Sequence, residues 1–368
     1  MNAVLRPVPD RRLHPVKRLL KPLVAPAVFD FWASRVDRTW TWERPLARLV
    51  GREPAARDAV TLVLKPNRHW HGFQPGQHLN LGAEIDGARI TRSYSLVDLP
   101  RADGRIAITV KAIEGGKLSQ HLCHVAKPGD VFELGPAFGD MTLPAQPQGP
   151  LLLLAAGSGI TPLMALTRAL AAQGMPVPLT LLYWARSRDE FCFLDELRAL
   201  AARHPNFRLS LLLTREPAQA ADEHVGRIDE ALLSSLVYGI AAQQVLACGP
   251  GGFVETARTL LADRVVSFQA EAFSPQPVAI TDTGTVQVRL ARRGRTLQVP
   301  RGQSLLSALE AEGIKPAAGC RMGICNTCAC GKRAGGTRHL PTGELTHEPM
   351  SALKLCINSA VTDLELDL

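Results

Sequence analysis

The 368-residue sequence has few aromatic side chains, 5% of the total, and no long uninterrupted apolar run. So few aromatic residues, without a basic stripe beside them, exclude a groove of stacking rings, and no nucleic-acid partner is expected. The longest apolar stretches, 151–156 and 160–172, are interrupted by Gly157, Thr161, Pro162 and Arg168 and predict no membrane span. The N-terminal sequence also lacks the features of a secretory signal, which predicts a cytoplasmic location.

The eight cysteines do not predict a disulfide framework, because no secretory signal accompanies them. At this length the chain exceeds what one hydrophobic core organises, so several domains are expected. The formal net charge is +8, and residues 1–45 carry nine Lys/Arg against four Asp/Glu, or +5 of it. The charge therefore belongs mostly to a basic N-terminal extension, 1–45.

Within that extension, residues 16–42 place Lys17, Arg18 and Lys21 before a bulky apolar stretch. Such a pattern predicts an interfacial helix that contacts the inner face of a membrane, or a helix packed against the body of the protein. Pro22 and Pro26 interrupt the stretch, so the helix is expected to begin after Pro26. A monomer is expected.

The remaining chain divides by its patterning. Residues 46–147 read as short strands separated by Gly and Pro, which predicts an antiparallel β-barrel. Residues 148–275 alternate fully apolar runs with helical periods, which predicts an α/β domain with a parallel sheet. A Pro-rich linker at 276–285 precedes a smaller α+β unit at 286–368 that contains one helix.

Four cysteines of that last unit carry the strongest chemical signal. Cys320, Cys325 and Cys328 form C-x4-C-x2-C, and Cys356 follows at a distance, which is the plant-type spacing for a [2Fe-2S] cluster. A structural zinc site would normally show two close pairs, and only Cys325 and Cys328 make one. Cys330 is expected to be an inert, packed thiol.

With this loop, the chain from residue 46 to the end resembles the ferredoxin-NADP reductase family fused to a C-terminal plant-type ferredoxin domain. The resemblance implies an FAD-binding β-barrel at 46–147, an NAD(P)-binding α/β domain at 148–275 and a β-grasp ferredoxin domain at 286–368. It also implies an NAD(P)H:acceptor oxidoreductase, since a flavin bridges two-electron hydride chemistry and a one-electron cluster.

The resemblance assigns the flavin site to three segments. Arg92 pairs with the flavin pyrophosphate, Tyr94 lies on the isoalloxazine and Ser95 reaches flavin N5. A strand end and a helix start follow, and Phe138 is an adenine contact that favours FAD. The implied flavin-binding residues are Arg92, Ser93, Tyr94, Ser95, Val110, Lys111, Gly116, Lys117, Leu118, Ser119 and Phe273.

The nucleotide site is assigned in the same way, to a Gly-rich turn after Leu151–Ala156 and a Cys-Gly-Pro turn after a second strand. Arg186 and Ser187 follow the strand where such folds meet the adenosine ribose, which favours NADPH and leaves NADH open. Ser95, Cys248 and Glu271 are the expected catalytic residues. The implied nucleotide-binding residues are Gly157, Ser158, Gly159, Thr161, Arg186, Ser187, Cys248, Gly249 and Pro250.

Together these motifs predict a reductase that passes electrons from NADPH to FAD, to the cluster and then to a redox protein partner. A membrane-bound diiron fatty-acid desaturase is the expected acceptor. The alternatives are a soluble Rieske or diiron oxygenase, a redox-sensing iron-sulfur protein, and a thiol oxidoreductase that uses Cys325 and Cys328.

Overall fold

The computed structural model describes residues 25–273 and 282–368. The first element is helix α1 (Pro26–Val36), which begins at Pro26 itself, whereas the sequence predicted a start after this proline. Asp30 of this helix accepts hydrogen bonds from the Trp42 backbone at 2.6 Å and from Arg44 at 3.1 Å, and the Phe29 ring meets the edge of Trp42. One face of α1 is therefore fixed to the chain that enters the first sheet.

The first sheet is antiparallel, with strand order β4-β3-β6-β1-β2-β5. A bridge between Leu96 and Ile108 brings its two ends together, so the sheet closes around an apolar core. A short helix, α2, leads into one π-helical turn at His121–Val125. The elements are β1 (Leu46–Ala56), β2 (Ala59–Pro66), β3 (His78–Ile85), β4 (Ala88–Ser95), β5 (Ile106–Lys111), α2 (Lys117–Gln120) and β6 (Val131–Phe138).

The second sheet is parallel, with strand order β10-β9-β8-β7-β11-β12. Its central strand β7 is buried at every position, because helices cover both faces of the sheet. The elements are β7 (Leu151–Ala156), α3 (Ile160–Ala172), β8 (Leu179–Ala185), α4 (Leu194–Arg203), β9 (Phe207–Leu213), β10 (Glu223–Val225), α5 (Glu230–Leu236), β11 (Gln244–Gly249), α6 (Gly251–Leu261) and β12 (Ser267–Ala272).

The C-terminal unit has a five-stranded sheet, β14-β13-β20-β15-β18, and a three-stranded sheet, β17-β16-β19. Helix α7 packs its apolar face on the same core. The elements are β13 (Thr285–Leu290), β14 (Arg295–Pro300), α7 (Leu305–Ala311), β15 (Ala329–Ala334), β16 (Thr337–His339), β17 (Leu345–Thr346), β18 (Met350–Lys354), β19 (Asn358–Ala360) and β20 (Leu364–Leu366).

The three architectures confirm the predicted fold class. Most of the linker predicted at 276–285 and residues 16–24 of the predicted interfacial segment lie outside the described residues. Within the described ranges, no helix is long and apolar enough to cross a bilayer.

Candidate functional site

A cavity of about 1060 Å³ lies where the three units meet. It opens at the carboxyl ends of β7 and β8, next to β11, where the strand order of a parallel sheet reverses and ligands usually bind. Every predicted flavin-binding and nucleotide-binding residue lines this cavity except Gly159, Ser187, Cys248, Gly249 and the expected adenine contact Phe138.

Arg92, at the flavin end of the cavity, is a cation without an anionic partner. Its guanidinium donates to the Thr91 carbonyl oxygen, and no carboxylate of the described residues lies within ion-pair distance of it. Desolvation by the surrounding walls, and secondly the charge of Arg321, lower the pKa of Arg92. An anion such as a flavin pyrophosphate would complete this site.

Tyr94 and Ser95 stand beside Arg92 on β4. Burial raises the pKa of Tyr94, so its phenol stays neutral. The Ser95 hydroxyl is buried and, among the residues described, has no hydrogen-bond partner. Buried hydroxyls normally find a partner, so an acceptor or donor of a bound flavin fits this position.

The turn before α2 needs a glycine at position 116, because Ser119 and Ile113 lie close to its backbone. A Cβ on Gly116 would lie 2.5 Å from the Ser119 hydroxyl oxygen and 3.0 Å from the Ile113 carbonyl oxygen. Ser119 in turn accepts a hydrogen bond from the Ile113 backbone at 3.2 Å and donates to the Gly116 carbonyl at 3.0 Å. This cradle exposes backbone to the cavity and fits phosphate oxygens.

At the nucleotide end, Gly157 takes a φ of +55° directly after β7. A Cβ on Gly159 would lie 2.0 Å from the Cys248 carbonyl oxygen, so this glycine permits packing of the turn on β11. That packing places Gly159, Cys248 and Gly249 behind the cavity wall, with Pro250 on the wall itself.

At the adenosine end, the predicted Arg186 has no carboxylate partner among the described residues, whereas the nearby Arg188 is held by one. Arg186 is exposed and lines the cavity. Ser187 donates to Asp189 at 2.6 Å, and Arg188 makes a bidentate pair with Glu223 at 2.9 and 2.7 Å. Arg227 also lines this end and was missed, because it follows β10, a strand too short to leave a periodic pattern in the sequence.

Of the three residues predicted to be catalytic, Ser95 lines the cavity, and Cys248 and Glu271 lie behind its wall. Cys248 is fully buried, and burial raises the pKa of its thiol. The Glu271 carboxylate lies 3.1 Å from Nε2 of His78, and neither atom has a hydrogen-bond partner among the described residues. His78 is 2% exposed and was not predicted, since a lone histidine in a strand gives no signal. The roles of Ser95, Cys248 and Glu271 stay predictions.

Phe138 stands elsewhere than expected. Its ring stacks on His78 with a centroid distance of 5.8 Å and does not line the cavity. Phe273 meets the same imidazole edge-on at 5.9 Å and does line it. The adenine contact assigned to Phe138 is therefore not supported by its position, because the histidine occupies its face.

The four predicted metal ligands lie in two pairs. The Cys320 backbone N–H donates to the Cys325 sulfur at 3.1 Å, and the neighbouring Cys320 thiol lowers the pKa of Cys325 and has its own pKa raised. Cys356 and Cys328 affect each other in the same way, with the pKa of Cys328 lowered and that of Cys356 raised.

The arrangement of the cysteines in two pairs favours a [2Fe-2S] cluster over the structural zinc site. Across residues 25–273 and 282–368, no three Cys, His, Asp or Glu side chains converge as a single ion would require. Two pairs of thiolates instead fit two irons, each with two cysteine ligands. Cys325 and Cys328 belong to different pairs, which also disfavours the dithiol chemistry considered as an alternative.

The loop that carries the ligands is tightly curled. Arg321 and Asn326 adopt positive φ, and Met322 and Cys325 donate backbone hydrogen bonds to the Cys320 sulfur at 3.3 Å. A Cβ on Gly319 would lie 2.7 Å from the Cys325 sulfur. The backbone therefore crowds the sulfurs, as a cluster stabilised by N–H groups requires. Cys330 is half-buried, and burial raises its pKa to about 12, in keeping with an unreactive thiol.

The residues present thus fit all three groups that the motifs imply. A flavin bound in this cavity would supply hydride acceptance from a nicotinamide, and a [2Fe-2S] cluster held by the four cysteines would supply one-electron transfer. Cys320 and Arg321 of the cluster loop line the same cavity as the flavin motif. The chain therefore places nucleotide, flavin and cluster positions around one space.

Comparison with known proteins agrees with this geometry. Three family models match: an oxidoreductase FAD-binding domain at 47–142, an oxidoreductase NAD-binding domain at 153–259 and a 2Fe-2S iron-sulfur cluster binding domain at 288–354. An NADPH oxidoreductase of Mycobacterium tuberculosis is 33% identical over 96% of this chain and 92% of its own length. The ferredoxin reductase component of 3-ketosteroid-9-alpha-monooxygenase from the same species is 36% identical over 72% of this chain and 75% of its own.

Among solved structures, phthalate dioxygenase reductase shares the fold with a TM-score of 0.58 and 24% identity, covering 88% of this chain and 97% of its own. The NADPH oxidoreductase and phthalate dioxygenase reductase each match most of the chain. It belongs to the ferredoxin-NADP reductase family of FAD-dependent oxidoreductases that carry a C-terminal plant-type [2Fe-2S] ferredoxin domain.

Proposed function

We propose that this protein is the NADPH-dependent reductase component of an oxygenase system. The observation that carries the proposal is the single cavity lined by Arg186 at the nucleotide end, Tyr94 at the flavin position and Cys320 of the cluster loop. Such an arrangement suits delivery of single electrons to an outside protein rather than signalling. The redox-sensor alternative would need no open nucleotide end.

The acceptor is proposed to be an oxygenase because of the relatives. The 3-ketosteroid-9-alpha-monooxygenase component, named as a ferredoxin reductase, is 36% identical to this chain. The fatty-acid desaturase expected from the sequence has no comparable support among the relatives described above. The oxygenase alternative of the sequence analysis is therefore the better-supported reading.

NADPH is proposed over NADH because two arginines face the adenosine end. Arg186 and Arg227 both line it, and both are exposed. Glu190, a carboxylate of the cavity lining, is held by Lys111 at 2.6 Å and by Arg57 at 2.8 Å, so both of its oxygens are already engaged. A 2′-phosphate is the group that two free guanidinium groups bind best.

The donor is tested with Arg186→Ala and Arg227→Ala in the holoenzyme. Loss of one charge-assisted contact is expected to raise the KM for NADPH about tenfold and leave that for NADH nearly unchanged. Arg208→Ala, exposed on β9, is the matched control. Equal effects on both nucleotides, or a wild type that prefers NADH, would contradict the proposed donor.

The acceptor is tested by reconstitution. Product formed per NADPH consumed is measured with the purified oxygenase of a 3-ketosteroid-9-alpha-monooxygenase system as probe, and with a diiron desaturase in liposomes. Tight coupling to the oxygenase alone is expected. Coupled turnover with the desaturase alone would restore the original expectation, and no NADPH-driven reduction of either acceptor or of cytochrome c would favour a sensor.

A second candidate property, peripheral membrane contact, is favoured by one observation. The outer face of α1 exposes Val28, Phe31, Trp32 and Val36, which follow one another at helical spacing, with side chains 52–75% exposed. Lys17, Arg18 and Lys21 precede this stripe. We propose that it rests on an anionic bilayer surface, since basic residues beside an apolar face suit that interface.

Flotation with anionic liposomes tests this property. Phe31→Ser/Trp32→Ser is expected to abolish co-flotation, and Val125→Ser, which is 64% exposed on the barrel, serves as the control. Binding of the wild type to neither anionic nor neutral vesicles would contradict membrane contact, and the stripe would then fit a protein surface.

A further inference from the structure

The contact between the ferredoxin unit and the flavin barrel has very few polar interactions. Among the residues described, one hydrogen bond joins 25–273 to 282–368, and no ion pair does. The bond runs from Nδ2 of Asn80 to Oγ1 of Thr327 and is 3.1 Å long. Thr327 directly precedes Cys328 in the cluster loop. Neither residue was singled out by the sequence.

The Asn80 amide is held in the orientation that this bond requires. Asn80 on β3 lies opposite Ser93 on β4, and the Ser93 hydroxyl donates to Oδ1 of Asn80 at 2.5 Å. With its oxygen occupied as an acceptor, the amide presents its N–H group to Thr327. Ser93 lies between Arg92 and Tyr94, so the flavin strand itself orients the contact.

The cluster loop is shaped to receive the amide. A Cβ on Gly319 would lie 3.0 Å from Nδ2 of Asn80 and 2.8 Å from Oγ1 of Thr327, so a side chain there would push the two apart. The Thr327 hydroxyl also donates to the Cys325 carbonyl oxygen at 3.5 Å. Ser93, Asn80, Thr327 and Cys325 therefore form one continuous chain from the flavin strand to a cluster ligand.

We propose that Asn80 is a positioning residue that docks the cluster loop on the flavin strand and so sets the distance over which electrons leave the flavin. The inference rests on the reductase chemistry of the family and not on the identity of the donor or the acceptor. A single hydrogen bond biases docking without locking it: its loss is expected to reduce the docked population about fivefold, equivalent to about 1 kcal/mol. A reversible dock also lets the cluster turn to an outside partner.

Single-turnover reduction of the full-length holoenzyme tests the proposal in Asn80→Ala, in Thr327→Val and in the double variant. Flavin reduction by NADPH is expected at the wild-type rate, and cluster reduction about fivefold slower in Asn80→Ala. Adding Asn80→Ala to Thr327→Val is expected to slow the cluster step no further, because both remove the same bond. Thr296→Val, exposed on β14, is the matched control.

Hydrogen exchange supplies a readout that needs neither donor nor acceptor. Backbone amides of 79–82 and 319–328 are expected to exchange faster in both single variants and unchanged in Thr296→Val. Unchanged exchange and an unchanged cluster step in Asn80→Ala would overturn the proposal. So would additive effects in the double variant, or equal slowing of the flavin and cluster steps. Because the exchange experiment omits NADPH and oxygenase, failure of the proposed function is distinguished from failure of this inference.

Discussion

The two junctions of the flavin barrel differ sharply in how they are built. At the flavin–nucleotide junction, the buried Glu190 carboxylate accepts from Lys111 at 2.6 Å and from Arg57 at 2.8 Å. Arg168 adds a 2.6 Å bond to the Val97 carbonyl, and Ala59 of the barrel belongs to the core of the parallel sheet. At the flavin–ferredoxin junction, the described residues contribute only the bond between Asn80 and Thr327.

The difference matches two demands on the same barrel. Hydride transfer needs reacting atoms held close and aligned, which a shared core and ionic contacts provide. An electron carrier must also meet an outside protein, and an interface with few contacts permits domain motion. The contrast indicates that the flavin–nucleotide junction, where hydride is transferred, is rigid. The flavin–ferredoxin junction, where electrons are transferred, is mobile.

The largest test of the flavin–nucleotide junction is Gly76→Ala. Gly76 has a φ of +93°, and a Cβ there would lie 2.0 Å from the Met141 carbonyl oxygen and 2.9 Å from the Leu166 side chain. Backbone strain and the clash together are expected to lower the free energy of unfolding by about 4 kcal/mol, measured by denaturant titration.

Gly72→Ala provides the control for that change. Gly72 has a similar φ of +88° and nothing within 4 Å of the added Cβ. Strain alone is expected to cost about 1 kcal/mol there. If the two variants lost equal stability, close packing at Gly76 would not be what holds this junction.

Glu190→Gln tests the ionic part of the same junction. The change leaves Lys111 and Arg57 without their shared carboxylate, and hydrogen bonds to charged groups contribute about 2 kcal/mol. Denaturant unfolding is expected to show a loss of that size, with slower flavin reduction by NADPH. Glu230→Gln, whose pair with Arg264 is about half exposed, should cost less than about 1 kcal/mol. Equal losses of stability in Glu190→Gln and Glu230→Gln would show that the Glu190 contacts contribute no more than an exposed ion pair.

Much of this architecture was predictable from residue patterns, for particular reasons. The all-apolar run at Leu151–Ala156 predicted a strand buried on both faces, and the spacing from Cys320 to Cys328, with Cys356 at a distance, predicted a [2Fe-2S] cluster. The motifs also predicted Arg92 and Arg186 as binding residues, and both line the same cavity. Such features are local, so the sequence carries them directly.

Other parts could not be predicted because they depend on contacts between distant segments. Asn80 and Thr327 are 247 positions apart and belong to no motif, and His78 meets Glu271 only because β3 and β12 converge. The short strand β10, three residues long, gave no periodicity, so Arg227 behind it was missed. Phe138 was expected to contact the adenine, and its stacking on His78 could not be predicted because no sequence pattern marked that histidine.

A pH titration tests how strongly Glu223 holds the loop that carries Glu190 to the flavin–nucleotide junction. Glu223, with a side chain 1% exposed, binds Arg188 of that loop, and the hydrogen bonds from Arg188 lower its pKa from 4.5 to about 2. Its stabilisation is therefore complete above pH 4.5 and is lost as the pH falls towards about 2. Each pH unit in that window removes at most about 1.4 kcal/mol.

The free energy of unfolding, measured by urea titration over that window, should fall more steeply in the wild type than in Glu223→Gln. The variant is expected to be less stable at neutral pH, with the two proteins converging in acid. Parallel curves would show that Glu223 does not anchor the loop.

The smallest effect is expected at the flavin–ferredoxin junction. Because one hydrogen bond among the described residues joins the units there, the cluster unit and the two-domain body should unfold in separate denaturant transitions. Cluster absorbance reports unfolding of the ferredoxin unit, and flavin fluorescence reports unfolding of the two-domain body. Asn80→Ala is expected to shift either transition by less than about 1 kcal/mol, while cluster reduction slows. A single shared transition, or a larger shift at both probes, would mean that the two junctions are equally firm, and mobility of the ferredoxin unit could not then explain how the cluster reaches its acceptor.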